Sequence, residues 1–221
     1  EGVTGIELDT LARRLIKSAG GEPAFLNYRP TGAARAFPAT LCVSLNEVVV
    51  HGVPTRKPIP HAALVKLDLG VIYRGYYADA ATTVSVGAPS PLARRLISAT
   101  EEALAAGIRA CRAGATLGDV GRAISSVARR YRFSVAQGRT GHGIGTELHE
   151  EPSVFNEGKP GTGQRLAAGM TLALEPMVCA GTGRVVQLAD DSYATADGKP
   201  SAHFEHTILV TAEEAEILTM L

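Results

Sequence analysis

"GVTGIELDTLARRLI" at 2–16 and "GATLGDVGRAISSVA" at 114–128 read as two versions of one helix. Thr4 and Thr116 stand where N-caps stand, and Glu7 and Asp119, three places on, complete a capping box in each. Leu8 matches Val120 and Leu15 matches Val127, and Ile6, Leu8, Leu11, Leu15 and Ile16 make an apolar stripe on the first copy. Two capped helices resemble one another by chance, but the order of elements also repeats. Extended segments at 41–50, 63–72 and 76–86 follow the first copy, and others at 171–179, 184–188 and 203–211 follow the second. Such a chain is expected to fold as two αβ halves related by an internal pseudo-twofold. The second half has a further helix before its capped one, starting at Pro91 behind the N-cap Ser90 and stopping at Gly114. Its counterpart in the first half is expected upstream of Glu1, so that the helix at 5–19 should border an apolar groove.

At 221 residues the chain can bury a substantial core as a single domain over 1–221. With 22 basic and 22 acidic residues it offers no general surface for nucleic acid or acidic lipid. No apolar run approaches the roughly 18 residues of a membrane span. Cys42, Cys111 and Cys179 are scattered and odd in number, which argues against a disulfide framework or a cysteine zinc site and points to the reducing cytoplasm.

The extended segments carry acids where a sheet between two halves should be apolar. In "ALVKLDLGVI" the residues Ala63, Val65, Leu67, Leu69 and Val71 share one face, with Lys66 and Asp68 on the other. Arg74-Gly75 turns the chain into "YYADAATTVSV", which carries Asp79. Glu175 lies in "LALEPM" and Glu205 in "HFEHT". Any one of these acids reads as a solvated strand residue. Four in one cavity would repel, and two divalent cations would cancel their formal charge of about −4. "RTGHGIGTELHEEPSV" adds His142, between two glycines that would let the backbone approach an ion closely, and His149. His61 reads as a loop residue. His203 and His206 flank Glu205, and alternation is expected to turn both away from the metal face.

"NEVVVHGVP", "LDLGVIYRGYYADAATT", "GHGIGTELHEEP", "LALEPM" and "FEHT", in this order and from about residue 4 to the C-terminus, resemble the successive motifs of the type I methionine aminopeptidases. The resemblance implies an α+β "pita-bread" fold, two pseudo-symmetric halves with curved antiparallel sheets around a dinuclear metal site. It implies a hydrolase that removes the initiator methionine from nascent chains when the second residue is small. By similarity Asp79 and Glu205 bridge two divalent ions, Asp68 completes one shell, and His142 and Glu175 complete the other. Manganese, iron(II), cobalt and zinc all suit such a set. Glu175 then serves as general base and proton shuttle, His149 stabilises the developing tetrahedral charge, and His51 contacts the substrate and assists proton transfer. The implied partners are N-termini of nascent polypeptides, with transient ribosome association and a monomeric enzyme.

The chain departs from the family in its methionine pocket. Phe37 and Cys42 match family positions, Tyr28 precedes a longer loop over 29–36, and Met177 adds a polarizable wall. Leu148 stands where the family has an aromatic before the HE pair. There is no tryptophan, and Asp191 or Ser192 falls near the place of the family's late one. Two rival readings are a prolidase or Xaa-Pro aminopeptidase on the same fold, which usually carries an N-terminal domain, and a non-catalytic peptide-binding relative, which typically loses metal ligands.

Overall fold

Both capping boxes form. In the computed structural model, which describes residues 2–30 and 35–220, the Glu7 N–H donates to Thr4 Oγ1 at 3.2 Å and the Thr4 N–H to Glu7 Oε2 at 2.8 Å. Asp119 and Thr116 repeat the exchange at 3.3 and 2.8 Å. These boxes open α1 (Gly5–Ser18) and, beyond the long α2 (Pro91–Ala110), α3 (Leu117–Arg130). Each capping threonine also makes an isolated bridge, Thr4 to Pro58 and Thr116 to Arg165.

The first half holds β1 (Glu22–Pro23), β2 (Leu41–Leu45), β3 (Val48–Val50), β4 (Leu64–Tyr73) and β5 (Tyr76–Ser85). The second holds β6 (Ser134–Val135), β7 (Thr140–Gly143), β8 (Glu150–Phe155), β9 (Thr171–Leu174) and β10 (Met177–Cys179). It continues with β11 (Val185–Gln187), β12 (Tyr193–Thr195), β13 (Ser201–His203), β14 (Glu205–Leu209) and β15 (Glu216–Ile217). Nine strands form one antiparallel sheet in the order β1-β4-β5-β14-β9-β7-β8, with β2 on β4 and β15 on β14. The segment expected as one strand over 171–179 breaks at Glu175-Pro176, and β10 leaves for a small sheet with β13 and β6. The expected hairpin turn is there: Tyr73 pairs with Tyr76, and Arg74 and Gly75 take positive φ of 51° and 84°, as a two-residue hairpin loop requires.

The halves meet at β5 and β14, paired at Ala81–Glu205 and Ala80–His206. Two threonine hydroxyls lock this seam. Thr207 Oγ1 accepts the Asp79 N–H and donates to the Asp79 carbonyl, both at 2.8 Å. Thr83 Oγ1 accepts the His203 N–H at 2.8 Å and donates to the His203 carbonyl at 2.7 Å. The two brackets are mirror uses of one device about the Ala81–Glu205 pair.

Helices cover the outer face of the sheet. Leu96 of α2 and Ile124 of α3 pack on Leu172, Leu174 and Ile208, while Ala12 of α1 packs on Leu41, Val43 and Val65. The two capped helices differ in cover. Val127 is 7% exposed against α2, whereas Leu11 and Leu15 on α1 stand 41% and 56% exposed. Among the described residues no helix is long and apolar enough to cross a membrane, and all three cysteines are free and buried.

The polar face of β4 turned out to be an inner one. Lys66, 1% exposed, sends its side-chain nitrogen to the Asn46 carbonyl of its own half at 2.6 Å and across the seam to the carbonyl and hydroxyl of Ser201 at 3.2 and 3.4 Å. A buried ammonium is tolerated when oxygens surround it, and these belong to both halves. Lys66→Met should therefore take a donor from the Ser201 carbonyl and from the Asn46 carbonyl, which keeps the Ser201 N–H, and lower stability by about 1–3 kcal/mol. Urea unfolding checks this, and a midpoint equal to wild type would mean the clamp contributes nothing.

Candidate metal centre

The sheet brings the five expected ligands together. Asp68 on β4 faces Ala81 across the β4–β5 ladder, and Asp79 is two residues back on β5. Glu205 opens β14 opposite Ala81, and His142 on β7 pairs with Ala173 of β9, two residues before Glu175. Ligand atoms of Asp79, His142 and Glu205 lie within 4.8 Å of one another. His142 Nδ1 donates to the Gly143 carbonyl at 2.9 Å, which leaves Nε2 with its lone pair toward the cavity, 3.6 Å from Glu175 Oε1. The flanking glycines serve the sheet and not an ion: a Cβ at Gly141 would strike the Ala173 carbonyl oxygen, and one at Gly143 that of Glu151. β7 is squeezed between β8 and β9, and glycine allows the approach.

Burial dominates the electrostatics. It pushes the Asp68, Glu175 and Glu205 carboxyls well above the carboxylate range and Asp79 up to about 7, and the charges of neighbouring acids raise the first three further. Asp68 Oδ1, Asp79 Oδ1 and Glu205 Oε1 are buried without a hydrogen-bond partner. Divalent cations fit this set: they would supply those oxygens with a partner and remove the mutual repulsion.

His203 contradicts its sequence expectation. It lies two residues from Glu205, so alternation puts both on one face and not on opposite ones, and it is 1% exposed. Its Nε2 is 3.5 Å from Glu175 Oε2 and 3.7 Å from Glu205 Oε2. His206 does point away, with Nδ1 2.9 Å from Thr219 Oγ1.

Beside the acids, His149 and His51 open onto the cleft with protein packed around the rest of their rings. That packing keeps both imidazoles neutral, each pushed down to about 4. His149 Nδ1 is 2.6 Å from the Tyr28 hydroxyl, and its ring stands 4.4 Å from that of His142. His51 has a positive φ of 61° and packs edge-on against Tyr193 at 5.8 Å. The Arg139 guanidinium lies over the Tyr193 ring, 4.0 Å from its centre. Neither Tyr193 nor Arg139 was anticipated. Of the two residues that stand near the place of the family's late tryptophan, Asp191 pairs with Arg35 at 2.8 Å, and Tyr193 follows Ser192 in the chain.

The expected pocket residues divide. Tyr28, Phe37, Cys42 and Leu148 pack together with Phe25, Ile144 and Tyr77, and Phe25 meets Phe37 edge-on at 6.4 Å. Phe25 and Tyr77 therefore add aromatic rings to the cluster that holds Leu148. Met177 packs elsewhere, with Val49, Val50, Ala136 and Cys179. Of the longer 29–36 loop, residues 31–34 lie outside the described residues.

Residues 1–212 match the model of metallopeptidase family M24. A methionine aminopeptidase of Treponema pallidum is 43% identical over 220 residues, 99% of this chain and 84% of its own length. The crystal structure of methionine aminopeptidase from Rickettsia prowazekii superposes with a TM-score of 0.94 at 40% identity, covering 99% of this chain and 87% of that one. A prolidase from Pyrococcus furiosus superposes with a TM-score of 0.78 at 24% identity, over 57% of its length. That last likeness is one of fold.

Proposed function

The chain belongs to metallopeptidase family M24, among the methionine aminopeptidases, and from that premise we propose that it removes the initiator methionine from nascent chains when the second residue is small. One observation carries the reading. Three buried carboxylates with orphaned oxygens, Asp68, Asp79 and Glu205, stand with Glu175 around an imidazole whose Nε2 is free, next to an apolar cluster. Residues 1–221 act as a single catalytic domain, monomeric and cytoplasmic, meeting its substrates as they leave the ribosome.

Asp68, Asp79, His142, Glu175 and Glu205 would hold two divalent ions, with Asp79 and Glu205 shared between them. Manganese, iron(II), cobalt and zinc are each compatible with so oxygen-rich a set. Such a pair, when bound, polarises the scissile carbonyl and makes water acidic enough to attack near neutral pH. Glu175 takes the proton of the attacking water on its carboxylate and returns it to the leaving amine. His149 donates from Nε2–H to the oxygen that becomes negative, the tautomer being set by the Tyr28 hydroxyl donating to Nδ1. His51 contacts the substrate at its first residue and assists proton transfer. Tyr28, Phe37, Cys42 and Leu148, with Phe25, receive the methionine side chain.

Pocket shape and the crowding around His149 make a specificity prediction. With one metal, kcat/KM should fall in the order Met-Ala-Ser, Leu-Ala-Ser, Met-Phe-Ser. Leucine should lose only about 10- to 200-fold, because a branched isomer in an apolar pocket costs about 1–3 kcal/mol. Equal rates for Met-Ala-Ser and Met-Phe-Ser would sink the second-residue claim. A Xaa-Pro dipeptide cleaved faster than Met-Ala-Ser would transfer the reading to the prolidases.

A further inference from the structure

The seam that joins the halves places His203 where the other half places Asp79. About the Ala81–Glu205 pair, Asp79 is two residues before Ala81 on β5, and His203 is two residues before Glu205 at the start of β14. Each has its backbone N–H and carbonyl bracketed by one threonine hydroxyl of the opposite half, Thr207 for Asp79 and Thr83 for His203. The local sequences follow suit, "ADAATT" at 78–83 against "AHFEHT" at 202–207. The same bracket aims both side chains into the same cavity.

His203 has nothing else to do there. The imidazole is fully enclosed, and neither Nδ1 nor Nε2 has a hydrogen-bond partner among the described residues. Its separations from Glu175 and Glu205, 3.5 and 3.7 Å, are too long for hydrogen bonds between a ring N–H and a carboxylate. They match the 3.6 Å between His142 and Glu175. Two donors on one ion, each about 2.1 Å from it, stand roughly 3.0–3.5 Å apart. Ligand atoms of Glu175, His203 and Glu205 all fall within 4.8 Å of one another, as those of Asp79, His142 and Glu205 do.

We propose that His203 is a sixth protein ligand of the centre, its Nε2 binding the ion that Glu175 and Glu205 hold. By the assignment above, His142 and Glu175 complete the shell of that same ion, so it would carry both imidazoles and the ion that Asp68 completes would carry none. Coordination through Nε2 leaves the ring proton on Nδ1, where no acceptor waits, whereas His142 donates from Nδ1 to the Gly143 carbonyl. His203 is the weaker nitrogen of the two, because that second hydrogen bond raises ligand basicity. The inference rests on reading the buried acids as metal-holding.

The test uses the whole chain with 15N-labelled histidine, stripped of metal and titrated with zinc alone. The ring nitrogens of two histidines should move to metal-bound positions, and in His203→Gln one of these responses should disappear. A chelator competition should show zinc held about tenfold less tightly by His203→Gln, with the fold of the apo variant checked by circular dichroism. The count in the wild-type protein needs no variant, so misfolding of His203→Gln cannot hide the answer. A single responding histidine in wild type overturns the proposal, and so do two responses that both persist in His203→Gln. If no histidine responds, the metal reading itself falls and takes this inference with it.

Discussion

Glu205→Ala should lose activity by on the order of a thousandfold or more and purify with less metal than wild type. Glu205 is 2% exposed at the centre of the seam, and it alone belongs to both groups of close ligand atoms, with Asp79 and His142 on one side and Glu175 and His203 on the other. Removing it takes a donor from both. Losing Lewis-acid stabilisation worth several kcal/mol gives the stated factor, at about 1.4 kcal/mol for each tenfold. The apo protein should behave in the opposite sense. Four buried carboxylates disfavour one another's ionisation, so deleting one relieves repulsion and the metal-free variant should melt no lower than metal-free wild type. Metal content, turnover and apo melting temperature are measured on the same preparation. Wild-type turnover in a metal-depleted Glu205→Ala protein would exclude the dinuclear reading.

The sequence disclosed the frame of this site more readily than its lining. Capping boxes, a two-residue hairpin turn and strand-borne acids are local patterns, each spelled out within a few residues, and all of them formed except at Glu175, which sits in the break between β9 and β10. Asp68, Asp79, Glu175 and Glu205 were legible as a group because acids within apolar segments are costly enough to need an explanation, and His142 and the ligand roles through motifs that resemble the family's. Contacts made across the seam had no such local mark. Lys66 reads as a solvent-facing lysine until one knows that β13 runs over it with Ser201. The Tyr193 ring joins the site because β12 pairs with β3, bringing it beside His51. Phe25, in the short strand-to-loop passage after β1, joins the pocket only through the fold of β2 and β4.

His203 is the instructive miss, since the error lay in counting. Alternation places residues i and i+2 on one face, and treating both neighbours of Glu205 alike merged His203 with His206. A comparison of "ADAATT" with "AHFEHT" could have found it, because the repeat visible in the helices continues into the strands that carry the ligands. The fold repeats more faithfully than the chemistry: the second half keeps the threonine bracket and exchanges a carboxylate for an imidazole.

His149→Ala should separate chemistry from coordination. Its Nδ1 is engaged by Tyr28 at 2.6 Å, so the imidazole acts through Nε2, and it is not among the close ligand atoms of either group. Deleting a donor that bonds the reacting oxygen only as it becomes charged costs about 100- to 1000-fold in kcat, with KM little changed. Metal content should stay at the wild-type level despite the 4.4 Å contact between the rings of His149 and His142, because His142 is held independently by its bond to the Gly143 carbonyl. Tyr28→Phe supplies the graded comparison. It keeps the His149 ring but removes the hydroxyl that fixes its tautomer, and a loss of about fivefold in kcat is expected, in line with one neutral hydrogen bond of about 1 kcal/mol. The order matters more than the factors: Tyr28→Phe should fall between wild type and His149→Ala, and the double variant should be no worse than His149→Ala alone. If His149→Ala loses metal in proportion to its activity, His149 is part of the centre's support and not a donor to the reacting oxygen. If the two single losses multiply in the double variant, Tyr28 acts on the substrate directly and the tautomer argument fails.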